Sequence, residues 1–406
     1  MSLFSKISSV NRYLAHKQHL LPTSRLADVV QVTRDIVALH ATSATSPYLS
    51  LWARVPDFQR EMLEDALYEQ RTLAKVLCMR VTLHAVPSDE ATNFIQACRA
   101  YVERRTPPRF RNEGLLVQAG ICQAEEASVL LKNLYCRVLD ALAEKGPSTL
   151  QEISQQVPEL KTKIRHDVGK PYEGEFSIGS RLVHGMCAQG LLIRTRPRGT
   201  WRSSLYEYAA LSDWLPDVDL DSVTTEEARA WLVRHYLDVF GPATLDDVQW
   251  WTGFSKGETK KALGALEPEL VEVTVEGLGD GYWMLAEDAQ RLRDFASTPP
   301  DAPYAFFLPS LDPYIMGYRD RRRFLTPEHR AKLFDRAGNA VPTVWVNGQV
   351  VGAWGQQKDG SVIYGLFEAV GEEEQALLEG EIPRLEGFLG DEYLPPYTHT
   401  PFTRAL

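Results

Sequence analysis

Two stretches of this chain carry the same punctuation. EKGPSTLQEI, from Glu144 to Ile153, and VFGPATLDDV, from Val239 to Val248, each close one apolar segment with Gly-Pro and open the next on Thr-Leu. Gly-Pro ends a helix, because glycine takes the left-handed cap and proline brings no amide hydrogen to the ladder. Threonine before an apolar face starts another helix, its hydroxyl accepting an orphan amide.

The surroundings of the two stretches are alike as well. VLDALAEKGP reads as a helix, and STLQEISQQVP follows with Ser148 or Thr149 as N-cap and Leu150, Ile153 and Val157 on one face. FSIGSRLVHGMCAQGLL places Ile178, Leu182, Met186 and Leu191 at helical spacing, and LIRTRPRGTWRSSLYEYAAL makes two strands around a Pro-Arg-Gly turn. EEARAWLVRHYLDVFGP, ATLDDVQWWTG and FSKGETKKALGALEP repeat the three helices, and LVEVTVEGLGDGYWML repeats the hairpin. Three helices and a hairpin, twice, about 100 residues apart, form an internal repeat of a winged-helix unit.

The N-terminal part reads the same way, with helices over 7–17, 26–39 and 60–76 before the strand LCMRVTLHAVP. Beyond Pro303, AFFLPSLDPYIMGY, PTVWVNGQVVGAWGQ and SVIYGLFEAV alternate β-branched and aromatic residues around Asn-Gly and Asp-Gly turns, the signals of hairpins in a small barrel or sandwich. The expected fold is α+β: three tandem winged-helix units over 1–115, 116–215 and 216–300, and a small β-barrel over 301–406.

A chain of 406 residues is long for one core, which agrees with several domains. No apolar run approaches the roughly 20 residues that span a bilayer, and the start lacks the apolar stretch of a signal peptide. Cys78, Cys98, Cys122, Cys136 and Cys187 are scattered, without a Cys-x-x-Cys pair. That spacing fits reduced thiols in the cytoplasm better than a disulfide framework or a zinc site. No His-Glu-x-x-His, Gly-x-Ser-x-Gly or phosphate-loop motif is present, and neither a metal nor a cofactor is implied.

The net charge of −10 opposes nucleic acid on average, but the charge is segregated. From Ser177 to Tyr206 there is no Asp or Glu, while Arg181, Arg194, Arg196, Arg198 and Arg202 fall there. Further clusters run from Arg99 to Arg111 and through RDRRR, Arg319 to Arg323. Arginines on a wing are what phosphate contact requires, although any one such cluster also serves simple solvation. The second wing carries Glu272, Glu276 and Asp280 and reads as structural.

LHATSATSPYLSLWARV, Leu39 to Val55, sets His40 and Thr42 astride one alanine. On an α-helix residues i and i+2 point about 200° apart and cannot share a target. An extended segment points both one way and turns Ala41 toward the core. The competing reading is a helix end, where an imidazole meets the negative pole of the dipole.

Four segments carry a resemblance that runs over nearly the whole chain: LHATSATSPYLSLWARV, ALYEQRTLAKVLCMRVTLHAVPSDE, LPSLDPYIMGYRDRRRFL and VPTVWVNGQVVGAWGQ. On these the chain resembles the AlkZ/YcaQ-type winged-helix DNA glycosylases. The resemblance implies winged-helix units and a small barrel arranged as a C around double-stranded DNA, and excision of alkylated or bulky-adduct bases for repair or self-resistance. The family's motif is Gln-apolar-Gln or Gln-apolar-Asp, and His40-Ala41-Thr42 stands at that position here.

That chemistry sends water to C1′ as the glycosidic bond breaks through an oxocarbenium-like state. A neutral His40 would orient the water or act as general base, and Thr42 would hold the same water. Asp312 in SLDPYIMGYRDRR would stabilise the sugar cation or close an Asx-turn. Arg319, Arg321 and Arg322 would meet flanking phosphates, and Arg80, Thr82 and His84, alternating along one strand, would line the cleft. The expected protein is a monomeric, monofunctional DNA glycosylase. A duplex-DNA-binding regulator on the same scaffold is the second reading, and a protein that sequesters a DNA-damaging molecule is the third.

Overall fold

In a computed structural model of the chain the described residues are 3–105, 112–166, 174–298, 302–390 and 392–406. Contacts divide them into two units. Residues 1–66, 85–87 and 230–406 make the first, and residues 67–84 and 88–229 make the second.

In the second unit the helix Ala127–Lys145 stops at Gly146, whose φ of 76° is the cap that the Gly-Pro signal predicted. Thr149 then caps the helix Leu150–Gln156, and Glu152 reaches back to accept the Thr149 amide at 2.8 Å. Ser177 caps the helix Ile178–Ala188. Strand Ser148–Thr149 pairs with Tyr206–Ala210, which pairs with Leu192–Pro197. Helix, short strand, two helices and hairpin thus follow the winged-helix order. Strands Lys163–His166 and Gly174–Ser177 form an additional hairpin ladder ahead of the third helix, which periodicity did not signal.

The stretch expected as a helix over 60–76 is different. It holds a helix at Arg60–Glu64, a π-helical turn at Asp65–Glu69 and a strand at Leu73–Leu77, which pairs with Leu192–Pro197. LAKVL is buried at every position, and a short run buried all round has no period to separate strand from helix. LCMRVTLHAVP is likewise not one strand. The strand Leu83–Pro87 follows a tight turn in which Arg80 and Val81 both take left-handed φ, 54° and 60°, and the Thr82 amide donates to the Met79 carbonyl.

In the first unit the helix Ile7–Lys17 forms as its periodicity predicted. Ala243–Thr244, the helix Leu245–Thr252, the helix Lys256–Ala265 and the strands Leu270–Val275 and Gly279–Leu285 repeat the winged-helix order. Leu3–Ser5 adds a parallel strand to Leu270–Val275. Thr244 and Asp247 form the same reciprocal cap as Thr149 and Glu152, at 3.0 and 3.1 Å.

The C-terminal strands Ala305–Leu308, Thr343–Val346, Gln349–Gln356 and Val362–Leu366 form an antiparallel sheet in chain order. The sheet is open, so the expected β-barrel is corrected: no sheet among the described residues closes on itself. Four short strands make too narrow a ring to enclose a core. Instead the helix Glu372–Leu389 packs along the sheet's two outer strands, its Leu378, Leu385 and Leu389 fully buried. Covering a sheet with a helix removes its apolar face from water without closure.

The residues from Asp312 to Tyr318, and Arg323 and Phe324, lie in the core of the first unit. Tyr314 stacks on Trp345 with ring centroids 4.9 Å apart, and Phe324 meets the same indole at 4.9 Å. Gly317 is required there, since a Cβ would stand 2.6 Å from the Phe240 ring. Among the described residues, no helix is long and apolar enough to cross a membrane.

Candidate active site

The helix Val29–Asp35 opens on Asp28, whose carboxylate accepts the Val30 and Gln31 amides. It ends at Ile36, and Val37 follows with φ 69°, a left-handed conformation that a β-branched residue rarely takes. That reversal releases the chain into the extended pair Leu39–His40. The motif is therefore extended at its first residue. Ala41 and His40 are both buried, at 1% and 5% exposure, while Thr42, beyond the extended pair, is exposed. The Thr42 amide donates to His40 Nδ1 at 3.4 Å. Only an unprotonated Nδ1 accepts such a bond, which puts the ring proton on Nε2.

The next helix, Ser46–Trp52, is wholly buried and starts on Ser46-Pro47. Ser50 and Arg54, four residues apart, point from its end to Asp312. Arg54 donates to both oxygens of Asp312 at 2.8 Å, Ser50 donates to Oδ2 at 2.7 Å, and the Tyr314 amide donates to Oδ1 at 3.0 Å. Gln18 accepts from Arg54 at 3.4 Å. Arg54 and Asp312 are both 0% exposed. Asp312 thus closes the Asx-turn and holds a buried ion pair, and all four of its lone-pair directions are used. It stabilises the motif's helix instead of presenting a bare carboxylate. Arg54, Ser50 and Gln18 were missed in the sequence, although Ser50 and Arg54 are polar residues four apart in an apolar run at the end of the helix.

The basic residues divide between surface and interior. Arg181 is exposed and lies over Phe176, and Arg202 is exposed. Arg194 is half-buried beside Tyr206, and His184 nearby is pushed down to about 4 by burial and then by the charges of Arg194 and Arg181. Arg196 pairs with Glu69 at 2.7 Å, and Arg198 pairs with Glu207 at 2.7 Å and Glu152 at 2.8 Å. The acid is thus supplied by Glu69 and Glu152 from outside the hairpin and by Glu207 on its second strand. The expectation of bare wing cations is corrected for these two.

Arg319 is exposed and paired with Asp246, and Arg322 is exposed and paired with Asp320. Asp247 holds this loop, accepting the Arg319 and Asp320 amides at 2.9 and 3.0 Å. Arg321, expected at a phosphate, is instead 5% exposed: it donates to the Ile315 carbonyl and lies between Trp250 and Phe334.

His84 is 5% exposed, beside the Thr82 carbonyl and Cys78 Sγ, and burial and then the Arg80 charge push it down to about 3. Burial draws Arg80 down to about 10. His84 therefore belongs to the interior and does not line a cleft, a second consequence of the turn at Arg80 and Val81. Of the cluster from Arg99 to Arg111, residues 106–111 lie outside the described residues.

Winged-helix order and an extended motif beside a polar buried anchor define a class that the comparisons identify. The family model "DNA glycosylase AlkZ-like" matches residues 33–388. A curated protein of Streptomyces sahachiroi, "Interstrand DNA cross-link repair glycosylase", is 33% identical over 299 residues, 70% of each chain. The solved structure "Streptomyces sahachiroi DNA glycosylase AlkZ" shares the fold, with a TM-score of 0.73 and 21% identity over 97% of this chain and 99% of that one. The protein is a DNA glycosylase, a hydrolase of N-glycosyl bonds acting on DNA. Within that class it belongs to the AlkZ-like family.

Proposed function

We propose that this glycosylase removes alkylated or bulky-adduct purines from duplex DNA, with His40 and Thr42 orienting the attacking water. Alkylation at N3 or N7 makes the base a cationic leaving group, so the bond breaks through an oxocarbenium-like sugar with little proton donation. What the protein supplies is a placed water and no added positive charge. A neutral imidazole with its proton on Nε2 acts on water as a hydrogen-bond donor, and the Thr42 hydroxyl accepts a water hydrogen. In this role the pair replaces the two side chains of the family motif, and the proton that the water loses as it adds to C1′ passes to solvent. The observation that carries the assignment is the Thr42 amide bond to His40 Nδ1.

Asp312 serves as a positioning residue, acting through Arg54 on the helix that follows the motif. Arg181, Arg194, Arg202, Arg319 and Arg322 supply phosphate contacts, which position DNA without reading its sequence. The relative's name concerns interstrand cross-links. A cross-linked purine is itself an alkylated base, so cross-links belong to the same substrate class. A monomer working in the cytoplasm completes the reading.

The test is a duplex carrying N7-alkylguanine, incubated with protein and then heated in base. Strand cleavage at the lesion and released free base are expected, with His40→Ala losing both. A protein that only shifts one duplex sequence, with His40→Ala silent, would be the regulator instead.

A further inference from the structure

Beside the motif, in the first unit, a pocket of about 210 Å³ opens between three segments. Ser43 to Leu49 of the motif loop and helix form one wall, Trp354 and Gly355 of the C-terminal sheet another, and Tyr393 to Tyr397 a third. We propose that this pocket receives the planar aromatic part of a bulky base adduct, and so selects the lesion. This rests on the glycosylase reading above.

The lining chemistry names the guest. Among the described residues, none that lines the pocket is Asp, Glu, Lys or Arg, so it does not suit a phosphate or another free ion. Aromatic rings, proline rings and Leu49 offer flat apolar contact. The Trp354 indole N–H is already donated to the Leu308 carbonyl at 2.8 Å, which leaves its ring as the contact surface. Among the described residues that line the pocket, one buried side-chain polar atom has no partner. Ser310 lines the pocket at 6% exposure, and its buried hydroxyl has no hydrogen-bond partner. A buried hydroxyl without a partner is unfavourable, and a guest with one acceptor atom relieves it. The volume is below the roughly 300–1,000 Å³ of drug-sized sites and suits a one- or two-ring group.

The walls are held in place before any guest arrives. Ser46 Oγ donates to the Ser310 carbonyl at 2.7 Å, which ties the motif's helix to the pocket floor. The C-terminal segment is pinned by Leu394 to Gln356 at 2.8 Å and by Thr400 to the Lys332 carbonyl at 2.6 Å. Ser43 is three residues beyond His40, so their Cα atoms lie at most about 11 Å apart. A base whose sugar faces His40 can therefore carry a linked ring system as far as the pocket.

The test uses two duplexes, one with N7-methylguanine and one with N7-(quinolinylmethyl)guanine, in single-turnover excision. Gly355→Phe fills the pocket, and its backbone accepts a side chain because a Cβ there meets nothing within 4 Å. Ser310→Ala removes only the hydroxyl. Gly355→Phe should slow the quinolinyl lesion by tenfold or more and leave the methyl lesion within about twofold. Ser310→Ala should slow the quinolinyl lesion by about five- to tenfold, the worth of one hydrogen bond. Equal loss on both lesions, or on neither, overturns the proposal.

Calorimetric titration with free quinolinylmethanol separates the remaining outcomes. If the wild type excises neither lesion, the glycosylase reading fails, and the pocket stands only if the wild type binds this probe and Gly355→Phe does not. Absence of binding in that case overturns it. Probe binding with excision untouched by either variant assigns the pocket to a free small molecule and overturns the adduct.

Discussion

Asp312 accepts from both terminal guanidinium nitrogens of Arg54 at 2.8 Å, across 258 positions of chain, with neither residue exposed to water. The pair joins the end of the motif's helix to the loop that begins the aromatic core of the first unit. Removing one partner leaves the other charge buried and alone, a loss of about 3–5 kcal/mol. Asp312→Asn and Arg54→Met should each lower the unfolding free energy by that much, read from urea denaturation. The double variant Arg54→Met/Asp312→Leu should recover most of the loss. Single variants within about 0.5 kcal/mol of wild type would show that the pair is not formed.

His40→Ala should reduce single-turnover excision by about 10²-fold, the cost of a misplaced water, with little change in thermal midpoint. His40→Gln restores an amide at the family's position and should recover part of the rate. Thr42→Ala, which removes one water contact, should cost about tenfold, or ~1.4 kcal/mol in the barrier. Calorimetric melting of each variant separates these effects from misfolding.

Acid should weaken the second unit earlier than carboxylate titration explains. His84 and His184 are lowered from 6.5 to about 3 and about 4, chiefly by burial. Below pH 6.5 the unfolded chain binds these protons while the folded chain does not, so folding stability falls as pH drops toward 4 and is flat above 7. His184→Gln should flatten that slope, measured by denaturant midpoints between pH 4 and pH 7.5. An unchanged slope would mean that the imidazole is not held neutral.

The wing's ion pairs predict a gain. Glu152→Gln and Glu207→Gln together release Arg198, so nonspecific duplex affinity should rise and its salt dependence steepen by about one phosphate contact. Arg202→Ala should reduce the slope by about one. Arg321→Ala should leave the slope alone and destabilise the fold, since its guanidinium packs between two rings. Fluorescence anisotropy across a salt series reads the three slopes, and the urea midpoint reads the loss of stability in Arg321→Ala.

Gly317→Ala places a methyl against the Phe240 ring, and overpacking of this kind costs about 1–3 kcal/mol. The urea midpoint should fall accordingly, with the fold retained by circular dichroism.

The features legible in the sequence are those set by a residue and its near neighbours. Gly146 capped its helix, Thr149 and Thr244 started theirs, Asn347-Gly348 turned its hairpin, and the quoted motifs placed the chain in its family. Each depends on a backbone angle or a bond across a few residues, which local chemistry dictates.

The rest was decided by tertiary packing. LAKVL became a strand because a neighbouring strand was there to pair with it, and Arg80-Val81 turned left-handed where no glycine signalled a turn. The C-terminal sheet stayed open because a helix, distant in sequence from the first strand, covered it. Glu69 and Glu152 reached the wing, and Asp312 reached Arg54, over sequence separations that no periodicity records. A charge looks free in sequence until folding brings its partner, because burial and pairing are properties of the assembled chain.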